Sequence, residues 1–268
     1  MYNIAIGFKK YIDELGITFH FNSEVSKINT ENGKVKSIIA NNMEHSSDII
    51  VSNMEGIPAY KKLLNEDEVF LNKLKKYEPA CSGIVLDIGL DIQYPQLAHH
   101  NFLYSKHQKE HFKTVFKKRL LPPDPTIYLV DSSKSDNTVA PENCSGLKVL
   151  PHIPFINEEK PYTKEEYIRY KEVSLDKLER CGLKDIRKHI VYEQFLTPLD
   201  IQKRYNSNHG SIYGVVTDVF KNFGFKMPKK SSKYKNLYFT GGSVNTGGGM
   251  PMVLLCGQNV CKLILESE

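Results

Sequence analysis

Apolar and polar positions recur with two periods along the chain, and the changes of period mark its elements. Ile4, Ile6, Phe8, Tyr11, Ile12 and Leu15 follow helical spacing, which predicts a helix over 4–14 ended by Gly16. Ile17 to Phe21 alternates as a strand. Val25–Ile28 and Lys34–Ile39 are two short strands, and Asn32-Gly33 between them is a hairpin signal. Asp48-Ile-Ile-Val51 reads as a buried strand. Residues 56–77 look helical and charged. Ser82–Leu90 is a strand with Ile84, Leu86 and Ile88 on one face. Lys106–Lys118 is an amphipathic basic helix. Ile127–Val130 and Leu147–Pro151 are strands. Lys164–Arg180 is a long charged helix closed by Cys181-Gly182, and His189–Phe195 is a strand stopped by Thr197-Pro198.

The chain ends on its most informative stretch. Lys235–Thr240 is a strand of aromatic and apolar residues. Five glycines follow within nine residues, in Gly241-Gly-Ser-Val-Asn-Thr-Gly-Gly-Gly249. Met250–Glu266 then reads as a helix, apolar nearly all round its first half, which predicts burial. Strand, glycine loop and helix make a nucleotide-binding layout, because small residues let a ligand approach the backbone and a helix N-terminus offers free N–H groups. No Gly-Lys-Ser/Thr follows the loop, so it is not a P-loop, and its glycines do not fall in G-x-G-x-x-G spacing. Two readings stand at this point: a ligand contact, or a tight turn that lets strand and helix pack closely.

Composition narrows the classes. The 268 residues suffice for one large domain or two small ones. Hydrophobic residues at 40% and charged residues at 25% describe a folded chain, not a disordered one. A net charge of +5 spread along the chain gives no argument for nucleic acid. No apolar run is long enough to span a bilayer, and the first residues do not form a signal peptide. Five scattered cysteines without a C-x-x-C pair argue for reduced thiols and against a zinc site. The expectation is a cytoplasmic protein with no metal.

The stretch Leu237-Tyr-Phe-Thr-Gly-Gly-Ser-Val-Asn-Thr-Gly-Gly-Gly-Met-Pro-Met-Val-Leu-Leu-Cys-Gly-Gln resembles the C-terminal flavin motif of the bacterial phytoene desaturase-like family, FAD-dependent oxidoreductases that make and modify carotenoids. Met1-Tyr-Asn-Ile-Ala-Ile-Gly-Phe-Lys-Lys, Phe21-Asn-Ser-Glu-Val-Ser-Lys-Ile and Asp48-Ile-Ile-Val-Ser-Asn are similar to earlier family segments. So are Ala80-Cys-Ser-Gly, Leu90-Asp, His99-His-Asn, Leu121-Pro-Pro-Asp-Pro-Thr-Ile-Tyr, Ala140-Pro and His209-Gly-Ser-Ile-Tyr-Gly214, in the same order. The resemblance covers essentially the whole chain. It departs in one respect: the strand, G-x-G-x-x-G turn and helix with which the family begins have no counterpart here. The expectation is therefore the C-terminal portion of such an enzyme, from a split gene, a late start or a decayed gene.

The resemblance implies an α/β FAD/NAD(P)-binding oxidoreductase fold, incomplete because its N-terminal βαβ unit is missing, with a mixed-sheet α+β substrate domain. Residues 1–55 and 206–268 would belong to the FAD-binding domain and 56–205 to the substrate domain. FAD would be the cofactor, and a long isoprenoid or carotenoid precursor of the phytoene or diapophytoene type the substrate, desaturated as hydride passes to flavin. A related oxidase or isomerase acting on another apolar substrate, and an inactive remnant or a subunit completed by an N-terminal half on a separate chain, are the alternatives.

The resemblance also assigns residues. Gly241, Gly242 and Ser243 would approach the FAD diphosphate and ribityl chain, unless they are turn residues only. Gly249, Met250, Pro251 and Met252 open the last helix and would set its N–H groups toward the flavin ring, or simply cap the helix. Val25 would meet the adenine through its backbone, or pack as an ordinary strand valine. His99 and His100 beside Asn101 read as pocket-lining or structural residues near the substrate, and Tyr213 as a lining or a packed tyrosine. No catalytic residue is named. Lys221, Lys226, Lys229, Lys230, Lys233 and Lys235, interleaved with Phe223, Phe225 and Met227, suit either an anionic lipid surface on the inner face of the cell membrane or a solvated loop.

Overall fold

The computed structural model describes residues 2–267; Met1 and Glu268 lie outside them. After helix α1 (Tyr2–Glu14), strands β1 (Val25–Glu31), β2 (Lys34–Ala40) and β3 (Met43–Ser46) form an antiparallel meander. Both tight turns use left-handed backbone: Asn32 and Gly33 lie at φ 49° and 72°, and Asn41 and Asn42 at 48° and 60°. The second turn and β3 are absent from the periodicity reading, because a four-residue strand with polar residues carries no strong pattern. Ile17–Phe21 forms no strand; the segment finds no ladder partner, and Phe19 and Phe21 stack on each other instead.

Strand β4 (Ile50–Ser52) pairs in parallel with a strand from the far end of the chain, Leu237–Phe239. Asn236 locks the junction: its Nδ2 donates to Val35 O at 2.8 Å and Asp48 O at 2.7 Å, and its Oδ1 accepts from Val35 N. The first core forms here from Ile28, Val35, Leu237, Phe239 and Val260. Ala59, Tyr60 and Leu74 also pack in it, the last from α2 (Glu68–Leu74).

The middle of the chain builds a second sheet from β5 (Ser82–Gly83), β6 (Val85–Leu90), β7 (His100–Leu103), β8 (Ile127–Asp131), β9 (Ser145–Ile153) and β10 (Ile190–Leu196), in the order β10-β6-β9-β8-β7 with antiparallel neighbours and β5 paired to β9. Alternation splits its two faces. Leu86, Ile88, Leu129, Leu147 and Val149 bury one face against Leu175 and Leu178 of α3 (Lys164–Arg180). Thr163 and Glu166 start that helix with a reciprocal capping box. Val85, Asp87, Tyr128, Lys148 and Leu150 lie on the opposite face, which stays half-exposed.

Helix α4 (Pro198–Tyr205), the short α5 (Val219–Asn222), strand β11 (Leu237–Phe239) and helix α6 (Met250–Leu265) complete the chain. The last helix is not buried as its composition predicts. Cys256 and Val260 are enclosed, but Leu254 and Leu255 are 47% and 42% exposed. A helix apolar on every side needs partners on every side, and core one supplies only one. The apolar side chains Ile4, Ile6, Phe8 and Tyr11 of α1 are likewise exposed.

Lys177 of α3 is buried, and its Nζ donates to Tyr104 O at 2.8 Å and Asp124 Oδ1 at 2.7 Å. Removing it takes an enclosed donor from the Tyr104 carbonyl and from the half-buried Asp124 carboxylate, and empties the space that its side chain fills. Lys177→Ala is expected to lower unfolding stability by about 2–3 kcal/mol, whereas exposed Lys9→Ala costs less than about 0.5 kcal/mol despite its ion pair with Asp13. Urea denaturation of the two variants measures the difference.

Candidate functional site

The carboxyl ends of β4 and β11 point the same way because the pair is parallel, and the crevice beyond such ends is where α/β sheets accept ligands. Asn53 and Glu55 leave one strand; the glycine loop leaves the other. Asn53 Nδ2 donates to Thr240 O at 3.2 Å. A Cβ on Gly241, at φ +104°, would sit 2.5 Å from that same nitrogen. A Cβ on Gly214, at φ +69°, would sit 2.7 Å from Ser243 Cα. Both positions therefore require glycine. Across the loop, Gly242 approaches Gly248 closely, and the Tyr213 ring lies against Gly248.

Helix α6 starts from this loop. Gly249 is its N-cap without a side-chain cap, and a Cβ there would meet open space. The first-turn N–H groups, with Pro251 contributing none, thus have no side-chain acceptor at the cap. Cys256 Sγ, buried in the helix, contacts Asn245 O at 3.3 Å and ties loop to helix.

A cavity of about 710 Å³ separates this loop from the half-exposed sheet face. Gly242, Ser243, Gly248 and Tyr213 line one side; Val85, Asp87, Lys148 and Leu196 line the other; Asn53, Glu55 and Arg204 complete the wall. Asp87 and Lys148 pair across β6 and β9 at 3.8 Å. Burial pushes the Glu55 carboxyl up to about 7, although Asn208 N donates to it at 3.2 Å and the nearby Lys226 charge favours ionisation. Burial also lowers the pKa of Lys226, with Glu55 opposing. Lys226 Nζ is spent on carbonyls, donating to Tyr213 O at 2.6 Å and Val215 O at 2.8 Å. Burial raises the Tyr213 hydroxyl, with Cys81 and Tyr128 adding to it.

Of the residues expected from the sequence, Gly242, Ser243 and Tyr213 line the cavity, Gly241 underpins it, and Gly249, Met250, Pro251 and Met252 open the helix beside it. Val25 lines an adjoining cavity of about 560 Å³ that shares Asn53, Arg204 and Tyr205 with the first. His99 and His100 are not brought there. They lie at the far edge strand β7, where His99 bonds Ser135 and His100 accepts or donates at Tyr128 Oη, 2.7 Å away. The lysine-rich stretch does not form a uniformly free basic face: Lys221 pairs with Glu78, Lys233 with Glu66, and Lys226 turns inward. Its aromatic tip is outward, with Phe220 at 98% and Phe223 at 82% exposure.

Asn53 and Glu55 are absent from the sequence-derived site residues, and Lys226 enters there only as part of the lysine-rich stretch. A polar pair just past a predicted strand end was the available signal for the first two; nothing local marks Lys226 as turning toward Glu55. Among the described residues no group of three or more His, Cys, Asp or Glu side chains is arranged to hold a metal ion, and no helix is long and apolar enough to cross a membrane.

No family model matches the chain. It is 53% identical over 261 residues to a 4,4'-diapolycopene oxygenase from Methylomonas sp, covering 97% of this chain and 52% of that protein. It is 49% identical over 270 residues to a 4,4'-diaponeurosporene oxygenase of Staphylococcus aureus strain USA300, covering 100% of this chain and 54% of the relative. The chain thus spans about half the length of the curated relatives it matches. Among solved structures it is similar to an oxidoreductase from Methanosarcina mazei (TM-score 0.64, 17% identity, 95% of this chain and 52% of that one) and to a putrescine oxidase variant (TM-score 0.59, 10% identity, 95% and 51%). The fold is that of FAD-dependent oxidoreductases, and the resemblance to carotenoid-acting members read from the terminal motif holds along this chain.

Gly241→Ala forces a clash with Asn53 at a left-handed backbone position. The substitution is expected to destabilise the chain by at least about 1–3 kcal/mol. Thermal melting of Gly241→Ala beside Gly257→Ala, whose Cβ meets nothing within 4 Å, checks this.

Proposed function

We propose that the chain is the part of an FAD-dependent oxidoreductase that carries the flavin-ring contacts and the substrate sheet, and that the enzyme oxidises a long acyclic isoprenoid polyene. The observation that supports this best is the cavity joining the glycine loop to the half-exposed sheet face. The residues suit a flavin: the loop is a cradle that side chains would fill at Gly241 and Gly242, and it ends at an open helix N-terminus. When bound, FAD supplies a two-electron acceptor. Gly241, Gly242 and Ser243 would hold its diphosphate and ribityl side by backbone N–H groups and one hydroxyl. The N-terminus of α6, from Gly249 to Met252, would favour negative charge at the ring. Val25 would approach the adenine side. Tyr213, Val85 and Leu196 would press an apolar substrate against the ring. The exposed apolar faces of α1 and α6 suit the packing of further nucleotide-binding elements, in the same chain or in a second one.

The names of the relatives favour oxidation at the ends of a C30 polyene over desaturation of phytoene. Supplying acyclic C30 polyenes to cells that express the protein containing this chain, and analysing products by mass spectrometry, separates the two. Terminal oxidation adds oxygen; desaturation only removes hydrogen. No change in any polyene sinks the reading.

Such substrates reside in lipid. The tip formed by Val219, Phe220, Phe223 and Phe225, flanked by Lys221 and Lys229, suits shallow insertion at a membrane surface. Phe220→Ser together with Phe223→Ser is expected to weaken binding to phosphatidylglycerol vesicles by at least about a hundredfold, at roughly 1.5–3 kcal/mol for each buried ring. Vesicle flotation measures it.

A further inference from the structure

Glu55 sits in the wall of the central cavity, three residues past the end of β4, level with the start of the glycine loop across the parallel pair. It occupies the N-cap position of a short helical turn at Gly56–Pro58, yet its side chain makes no capping bond. Among the described residues its carboxylate accepts one hydrogen bond, from Asn208 N, and joins no ion pair. The charged groups in the wall, and Lys226 behind it, are otherwise occupied or held off. Asp87 and Lys148 of the sheet face pair with each other. Lys226, from the segment before β11, spends its ammonium on two backbone carbonyls. Arg204 of α4 and the Tyr213 hydroxyl complete the set. A carboxylate that caps nothing, bridges nothing and is mostly enclosed costs stability.

We propose that Glu55 is the proton acceptor of the oxidation, taking the proton that leaves as hydride is lost from the substrate. The inference rests on the function proposed above. One C–H bond at an allylic carbon would break with its electron pair, for which bound FAD would supply the two-electron hydride acceptor. In a desaturation, the C–H bond of the neighbouring carbon then breaks, its electron pair becomes the new C=C bond, and its proton forms an O–H bond on Glu55. In a terminal oxidation, water adds to the carbon that lost hydride, and the proton released from that water goes to Glu55. In either case one carboxylate becomes one carboxylic acid. Burial poises the group for this, since a carboxyl raised to about 7 is a far stronger base than an exposed one and is still largely ionised just above neutrality.

Two measurements test this. In the chain labelled with carboxyl-¹³C glutamate, one resonance should titrate near neutral pH, well above the rest, and vanish in Glu55→Gln. In the enzyme containing the chain, kcat/KM for the polyene should rise with pH through about 7, the base being active only when ionised. Glu55→Gln should lower kcat by about 10²–10⁴-fold, abolish that limb and leave KM little changed, and Glu55→Asp should recover part of the rate. A Gln variant that melts like the wild type, retains activity within about threefold and keeps the same pH limb overturns the role. So does a glutamate spectrum in which every resonance titrates in the usual range. If the wild-type enzyme oxidises no polyene, the proposed function fails and this role with it; if it does and the Gln variant does equally, the role alone fails.

Discussion

The parallel pairing of β4 with β11 is the constraint on which the site depends. Parallel strands cannot be joined by a tight hairpin, so the chain must leave and return, and the whole middle of the molecule occupies that excursion. The return superimposes two carboxyl ends from opposite ends of the sequence. One delivers Asn53 and Glu55, the other the glycines. Asn236 makes the junction specific by satisfying groups on β2 and before β4 with one side chain. Gly241 then tolerates the approach of Asn53 only because it has no Cβ.

The second sheet answers a different requirement. Its buried face is continuous apolar packing against α3. The other face is neither core nor ordinary surface. It carries Val85, Tyr128 and Leu150 beside an Asp87–Lys148 pair, and it borders a cavity, not another layer of structure. A face that mixes apolar side chains with a few placed polar groups is what a ligand site needs, since the apolar part supplies area and the polar part orientation.

The two apolar helices at the ends of the sequence are where packing is least complete. Both α1 and α6 present large side chains outward, and exposed apolar surface of this kind is a liability for a lone chain and an asset where more protein packs. The relatives are about twice as long as this chain.

By itself the sequence determined what is local. Asn32-Gly33 specified its hairpin, since Gly and Asn reach the left-handed region cheaply. Thr163, Glu166 and Gly182 bounded α3, and the order strand, glycine loop, helix marked the ligand end of the chain. Pattern alone misread Ile17–Phe21, because alternation without a ladder partner is not a strand, and it misread α6, because hydrophobicity states what a helix would bury and not what is there to bury it. His99 and His100 looked like site residues on chemistry, but sheet order puts β7 at the far edge. Lys226 read as one lysine of a lipid-facing or solvated stretch and Glu55 drew no reading, and only the meeting of segments remote in sequence encloses them. Turn chemistry and periodicity act over a few residues; which strand ends coincide, which face stays open and which charge is desolvated depend on contacts between distant segments, and those exist only in three dimensions.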